Sequence, residues 1–154
     1  MSKVIDSISV FFEESKYYYE SRDDSLISRF KIKSNISNIT MIVYAYKDTY
    51  TVSAKCPIFA NEESFSAVSE YLMRANYNMI SGCFEMNYNN GEIRFKYNQY
   101  CKDSLPSKDS IKRSIMLPLA MFNRYGNGLL NVMLNGSSPE EEIKKAEKDM
   151  NTEK

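Results

Sequence analysis

The sequence predicts an α+β fold, in which an antiparallel sheet of about five strands carries helices packed on one face. The expected order of elements is α-β-β-β-α-β-β-α, followed by a short C-terminal helix. Apolar residues recur at helical spacing in several segments, residues 28–33 and 49–56 alternate in polarity, and residues 75–97 end a helix and then form a hairpin. Antiparallel hairpins separated by helices are typical of a sheet that is covered on one side and open on the other.

The first helix is predicted from about Ser2 to Tyr19, because apolar side chains recur along it at helical spacing. The charged segment from Glu20 to Asp24 is then expected to be a loop. A strand is predicted from Ser28 to Lys33, because its side chains alternate cleanly in polarity. Its inward residues are Phe30 and Ile32, and its outward residues are Arg29, Lys31 and Lys33.

The next two strands are predicted to pair as a hairpin. Residues 39–46 and 49–56 flank a turn at Lys47-Asp48, and this register places Val43 opposite Val52. One face of the pair is apolar and is predicted to be the core.

A second helix is predicted to start after an N-cap at Asn61 and to end near Asn76. The hairpin that follows is predicted to turn at Asn90-Gly91, since Asn-Gly is the strongest signal for a two-residue turn. A turn at Asn89-Asn90 keeps the same faces but loses the glycine where a positive φ is wanted. The cross-strand pairs that follow from the Asn90-Gly91 turn are Tyr88 with Ile93, Met86 with Phe95, and Phe84 with Tyr97.

The C-terminal third is predicted to be helical from Asp109 to about Gly136. Pro118 removes one intrahelical hydrogen bond, so the pattern leaves open one bent helix or two helices that meet near it. A further helix is expected to begin at Ser138-Pro139, where a capping residue precedes proline. We therefore divide the chain into an α+β domain, residues 1–136, and a polar C-terminal helical tail, residues 137–154.

Composition excludes several classes of function. The 154 residues carry 20 basic and 20 acidic side chains, so the basic surplus expected of a nucleic-acid-binding protein is missing. No apolar run approaches the roughly 20 residues that span a bilayer, so we expect no membrane partner. Three unevenly spaced cysteines make no disulfide framework, which predicts a cytoplasmic protein. Histidine is absent, and with it the usual zinc ligand and general base, so we expect no enzyme, metal or cofactor.

Tyrosine is in excess, with 12 residues and no tryptophan. Alternation places Ile42, Tyr44 and Tyr46 on the sheet face away from the helices, with Thr51 opposite Tyr44. These four residues are the predicted binding surface for a protein partner of unknown identity, and a homodimer is one form that this could take. Three alternatives stay open: the tyrosines only shield the sheet, a terminal helix covers them, or the partner binds the first helix at Phe11, Tyr17 and Tyr18.

The second function that we consider is a regulatory domain that senses a small ligand. It requires a pocket between the sheet and the helices, and the residues that would line it are Phe84, Phe95 and Tyr97.

Several short motifs resemble those of the YbjN family. They are Asn76-Tyr77, then Gly82-x-Phe84-Glu85, then Gly91-Glu92-Ile93-Arg94, and finally the helix start Gly136-Ser137-Ser138-Pro139-Glu140-Glu141. This family is also labelled as proposed bacterial sensory transduction regulators, and its fold resembles that of type III secretion chaperones. The resemblance therefore implies an antiparallel sheet with helices on one side. It implies no catalytic residues.

Overall fold

The computed structural model describes residues 2–152, and within them an open six-stranded antiparallel sheet carries its helices on one face. The strand order is β1-β2-β3-β4-β6-β5. The helices are α1 (Lys3–Glu14), α2 (Phe65–Asn76), α3 (Lys108–Asn135) and α4 (Pro139–Ala146), with short 3₁₀ turns at Glu62–Ser64 and Lys148–Thr152. The strands are β1 (Glu20–Arg22), β2 (Ser25–Lys31), β3 (Asn38–Tyr46), β4 (Thr49–Lys55), β5 (Cys83–Met86) and β6 (Ile93–Tyr100). The predicted α+β class is confirmed.

The core lies between the sheet and the helices. α1 packs on β2 and β3, α3 packs on β4 and β6, and α2 packs on β5. Apolar side chains from every layer meet there because burial removes their surface from water. The largest fully buried ones are Phe12, Tyr50, Tyr71, Phe95 and Phe122. Within residues 2–152, no helix is both long and apolar enough to cross a membrane.

The first helix ends at Glu14, five residues before the predicted end at Tyr19. Lys16 takes a left-handed conformation, with φ of 58°, and the Tyr17 N–H donates to the Phe12 carbonyl at 2.9 Å. The Tyr17 and Phe12 rings also meet edge to face, which completes a Schellman cap. The aromatic packing of Tyr17 thus stops the helix.

The segment predicted as a loop at Glu20–Asp24 contains the edge strand β1, so the sheet has six strands rather than about five. β1 turns at Asp23, with φ of 48°, and pairs with β2. Its three residues are all exposed, so no apolar alternation marks it in the sequence.

The second strand begins at Ser25 and ends at Lys31, earlier than predicted at both ends. Ser28 lies on its buried face because the hydroxyl donates to the Tyr18 carbonyl at 2.6 Å. The backbone N–H of Lys33 donates to the Asn123 side chain of α3 at 2.7 Å, which draws this residue out of the sheet.

The hairpin of β3 and β4 has the predicted register. Val43 lies opposite Val52, and Lys47 and Asp48 form the turn between Tyr46 and Thr49.

The register that follows from a turn at Asn90-Gly91 is wrong, and the β5–β6 hairpin has the register of the alternative turn at Asn89-Asn90. Phe84 pairs with Phe95 and Met86 pairs with Ile93, so the strands are offset by two positions from the predicted pairs. An offset of two keeps each side chain on its predicted face. Tyr88 therefore lies beyond the strands, where its ring stacks on Phe65.

A wider loop replaces the expected two-residue turn. Its glycine, Gly91, has the positive φ that the prediction required, but its carbonyl accepts a hydrogen bond from the Ala60 N–H at 3.0 Å. A Cβ at Gly91 would overlap the Ala60 carbonyl oxygen. The loop is thus held by this contact with the segment before α2 and by local hydrogen bonds, among them one from the Gly91 N–H to the Asn87 carbonyl at 2.7 Å.

The helix predicted from Asp109 is a single helix, α3, in which Pro118 is buried. It ends at Gly136, which has a left-handed backbone. Ser138 caps α4, and Pro139 occupies its first turn. α4 packs against α2 and α3 and contributes Ile143 to the core. The domain division at residue 136 stays a prediction.

Candidate interaction surface

The sheet face opposite the helices, called the open face below, brings side chains of all six strands together. Strand pairing arranges them in rows, because directly opposed residues share a face. At one end Tyr46, Thr49 and Tyr100 adjoin, and the next row contains Tyr44 and Thr51.

The structure places all four predicted binding residues on the open face. Tyr46 is 70% exposed, whereas Ile42 and Tyr44 are half-buried. Thr51 is buried among its neighbours, and its hydroxyl donates to the Asn98 side chain at 2.7 Å. Thr51 thus packs beneath the open face and offers little of its own surface to a partner. Partner binding by these residues stays a prediction.

Tyr100 is not among the predicted binding residues, although it is 66% exposed and joins Tyr46 across Thr49 on the open face. The alternation of β6 through Lys96 and Asn98 is the signal that assigns Tyr100 to this face. Tyr46, Tyr100 and the β3–β4 turn surround a shallow depression of about 530 Å³.

A second depression of about 390 Å³ lies nearer the β1 edge. Ile27 and Ile42, which are directly opposed on β2 and β3, form part of its lining. The exposed Tyr18 and the guanidinium-bearing side chain of Arg29 also line it. The open face therefore carries apolar contact area at both depressions.

Charges at the β5 end of the open face are largely paired. Glu85 contacts the Lys96 ammonium at 2.6 Å and the Arg94 guanidinium at 3.2 Å. Burial acts to raise the pKa of Glu85, but the hydrogen bonds from Lys96 and Arg94 outweigh it, so this pKa lies below its ordinary value. Lys55 is paired with Glu92 at 3.2 Å. Nearer the other edge of the open face, Arg29 of β2 makes no ion pair among the described residues.

Burial acts against ionisation of the cysteines and of Tyr50. Burial raises the pKa of the Cys56, Cys83 and Cys101 thiols, which disfavours the nucleophilic thiolate. Burial also raises the pKa of Tyr50 to about 12, and its hydroxyl is hydrogen-bonded to Ser114 at 3.1 Å. Within residues 2–152, no cluster of three or more Cys, Asp or Glu side chains has the arrangement of a metal site.

The space between sheet and helices is occupied by packed rings. Phe84 meets Phe95 at 5.1 Å and Phe122 at 5.2 Å between ring centroids, and both contacts are edge to face. Phe84 and Phe95, two of the three residues expected to line a ligand pocket, are buried, and the third, Tyr97, is half-buried and packs against the core. This packing does not favour the small-ligand alternative.

Asn76 and Phe84, which belong to the motifs that resemble the YbjN family, stabilise the fold. The Asn76 side chain accepts a hydrogen bond from the Phe84 N–H at 2.7 Å and donates one to the Phe84 carbonyl at 2.9 Å. It thus satisfies the backbone at the outer edge of β5, where no further strand of the described residues pairs.

Comparison with solved structures finds the same fold in YbjN from E. coli, which is described as a proposed transcription regulator. The two structures have a TM-score of 0.59 and 8% sequence identity, over 77% of this chain and 85% of that chain. At this identity the likeness concerns the fold alone. No protein-family model matches the chain, and no curated protein matches it.

Proposed function

We propose that this chain is a non-catalytic protein-interaction module, and that a protein partner binds its open face around Ile42, Tyr44, Tyr46 and Tyr100. The observation that carries the proposal is a sheet face without a covering helix in residues 2–152, on which Tyr46 and Tyr100 are both largely exposed. Tyrosine suits a binding surface because its ring buries a large area while its hydroxyl stays solvated or hydrogen-bonded.

The pairing of charges on this face supports a protein partner. Glu85, Lys96 and Arg94 already satisfy one another, so a partner that covers them need not supply matching charges. Tyr46 and Tyr100, by contrast, have apolar ring surface in contact with water, and covering it is favourable.

The proposal includes a distant relationship to the YbjN family and a cytoplasmic location. The fold similarity and the structural roles of Asn76 and Gly91 support the first. Three free cysteines, Cys56, Cys83 and Cys101, fit a reducing compartment. Superposition with YbjN tests the relationship: an Asn and a Gly at the equivalent positions are expected, and other residues there would contradict it.

The binding proposal is tested by affinity capture from the native lysate with the parent and a Tyr46→Ser/Tyr100→Ser variant. Tyr77→Ser is the matched control, because Tyr77 is 87% exposed and follows α2, outside the open face. Circular dichroism and thermal unfolding establish that all three proteins fold.

We expect the parent and Tyr77→Ser to retain the same partner and the double variant to lose it. Sedimentation equilibrium identifies the case in which the partner is a second copy, because the dimer should then be lost in the double variant only. Equal capture by the folded double variant would refute the open face as the binding surface.

A further inference from the structure

A cleft on the helical side of the molecule has a composition suited to binding. It lies between residues 78–81 and α3 and has a volume of about 190 Å³. We call it the methionine cleft. Its principal lining residues are Met79, Ile80, Leu117 and Met121, with Arg113 and Arg124 beside them.

The α3 side of the methionine cleft is a single stripe along the helix. Arg113, Leu117, Met121 and Arg124 follow one another at intervals of three or four residues, so they share one helix face. At a rise of 1.5 Å per residue, the two arginines begin about 16 Å apart along the axis. Apolar side chains thus lie between two cations.

The apolar residues of the methionine cleft are in contact with solvent. Ile80 is 94% exposed, and Met150, which also lines the cleft, is 40% exposed. Leu117 and Met121 are half-buried. Methionine side chains adapt their shape to a bound surface, so such a cleft accepts apolar groups without a fixed outline.

The charged side chains that the structure describes in the lining of the methionine cleft are of one sign. Among the described residues, the lining contains two arginines and no acidic side chain. Within the described part of the chain, Arg113 has no ion-pair partner, and Arg124 donates to the Ala146 carbonyl at 3.2 Å rather than to a carboxylate. An occupant with carboxylates at its two ends would complement these cations.

We propose that the methionine cleft binds an acidic amphipathic segment of a partner protein. The apolar side chains of the segment contact Ile80, Leu117 and Met121, and its carboxylates pair with Arg113 and Arg124. The separation of the arginines matches about three turns of helix, which is the length of a short helical segment docked in a groove. This site is separate from the open face, so it does not depend on the binding proposed there.

Selection from a displayed library of helical peptides tests the proposal. At the exposed positions of each displayed peptide, the library contains Asp, Glu, Lys, Arg, Leu or Ser. The full chain is the immobilised target. We expect enrichment of peptides that combine Leu on one face with acidic residues at both ends. Enriched peptides are then synthesised, and their affinity for variant proteins is measured by fluorescence anisotropy.

Arg113→Glu is the main variant, and Lys112→Glu is its matched control, because Lys112 is exposed on the same helix but does not line the cleft. We expect binding to weaken about tenfold or more in Arg113→Glu, where an attractive charge becomes repulsive, and little in Lys112→Glu. Ile80→Ser should weaken binding, whereas Met73→Ser should not, since Met73 is exposed on α2 outside the cleft.

Three results would overturn the proposal: no enriched peptide, enrichment of basic or uncharged peptides, or equal effects of Arg113→Glu and Lys112→Glu. Vesicles that contain anionic phospholipid are tested in parallel. Vesicle binding that Arg113→Glu abolishes, with no peptide enriched, would assign the cleft to a membrane surface instead.

Discussion

Replacement of Asn76 by alanine should loosen the outer edge of the sheet. Its side chain makes two hydrogen bonds to the backbone of Phe84, at 2.7 and 2.9 Å, and Phe84 is buried. Alanine leaves one N–H and one carbonyl of β5 without these partners. A buried polar group that loses its partner costs about 1–3 kcal/mol. Because this edge admits some water after substitution, we expect a total loss of about 2–3 kcal/mol.

Urea denaturation followed by circular dichroism measures this loss as a change in the free energy of unfolding. Native-state hydrogen exchange adds a local readout, because the Phe84 amide should exchange faster than amides in β3 and β4. Asn78→Ala is the matched control, since Asn78 is an exposed residue of the loop that follows α2. The reasoning is refuted if Asn76→Ala differs from Asn78→Ala by less than about 0.5 kcal/mol, the ordinary spread of surface substitutions.

Three further predictions concern buried contacts and titration. Gly128→Ala should cost about 2 kcal/mol because its Cβ would overlap the Tyr71 hydroxyl. Tyr71→Phe has a cost of its own, because the Tyr71 hydroxyl donates to the Tyr125 carbonyl at 2.6 Å. In urea denaturation the double variant should therefore lose less than the sum of the two single losses, and additive losses would contradict the contact. The lowered folded pKa of Glu85 means that its ion pairs stabilise the protein above about pH 4.3, and that this contribution disappears as the pH falls through the folded value. Glu85→Gln should therefore be less stable than the parent at about pH 7, and the difference in unfolding free energy between the two proteins should be smaller at about pH 3. A difference that does not change with pH would argue against the ion pairs. Tyr50 should stay protonated until about pH 12, so near-ultraviolet titration of Tyr50→Phe should lack one late-ionising phenol, and an unchanged titration curve would contradict its burial. Because the pKa of Tyr50 is higher in the folded than in the unfolded chain, neutral Tyr50 favours the folded state below about pH 10. This contribution to the free energy of unfolding is lost as the pH rises from about 10 to about 12.

The parts of the fold that local sequence determines were predictable. The Lys47-Asp48 turn leaves a single register that keeps Val43 and Val52 in the core, and the structure has it. Two registers of the β5–β6 hairpin were compatible with the sequence, from turns at Asn90-Gly91 and at Asn89-Asn90, and the structure has the second. Local patterns could not choose between them, because this register is accompanied by contact between Gly91 and Ala60. These two residues are distant in sequence, and no periodicity reveals that they meet.

The open face was predictable in part for the same reason. Alternation along β3 is enough to assign Tyr44 and Tyr46 to it. The position of Tyr100 next to Tyr46 depends on pairing between β4 and β6, which local patterns do not reveal. The methionine cleft combines the loop after α2 with the middle of α3, so only the packed structure brings its parts together.

The pairing of β4 with β6 also has a consequence for the order of folding. Strands β1 to β4 follow one another through short turns, whereas Lys55 meets Arg94 only after α2 and β5 have been traversed. Closing a long loop has a larger entropic cost than closing a short turn. The chain incurs this cost before the new contacts form and offset it. We therefore expect the four-strand meander to be structured early in the folding transition state. The β5–β6 hairpin would dock later and complete the sheet as α3 covers it.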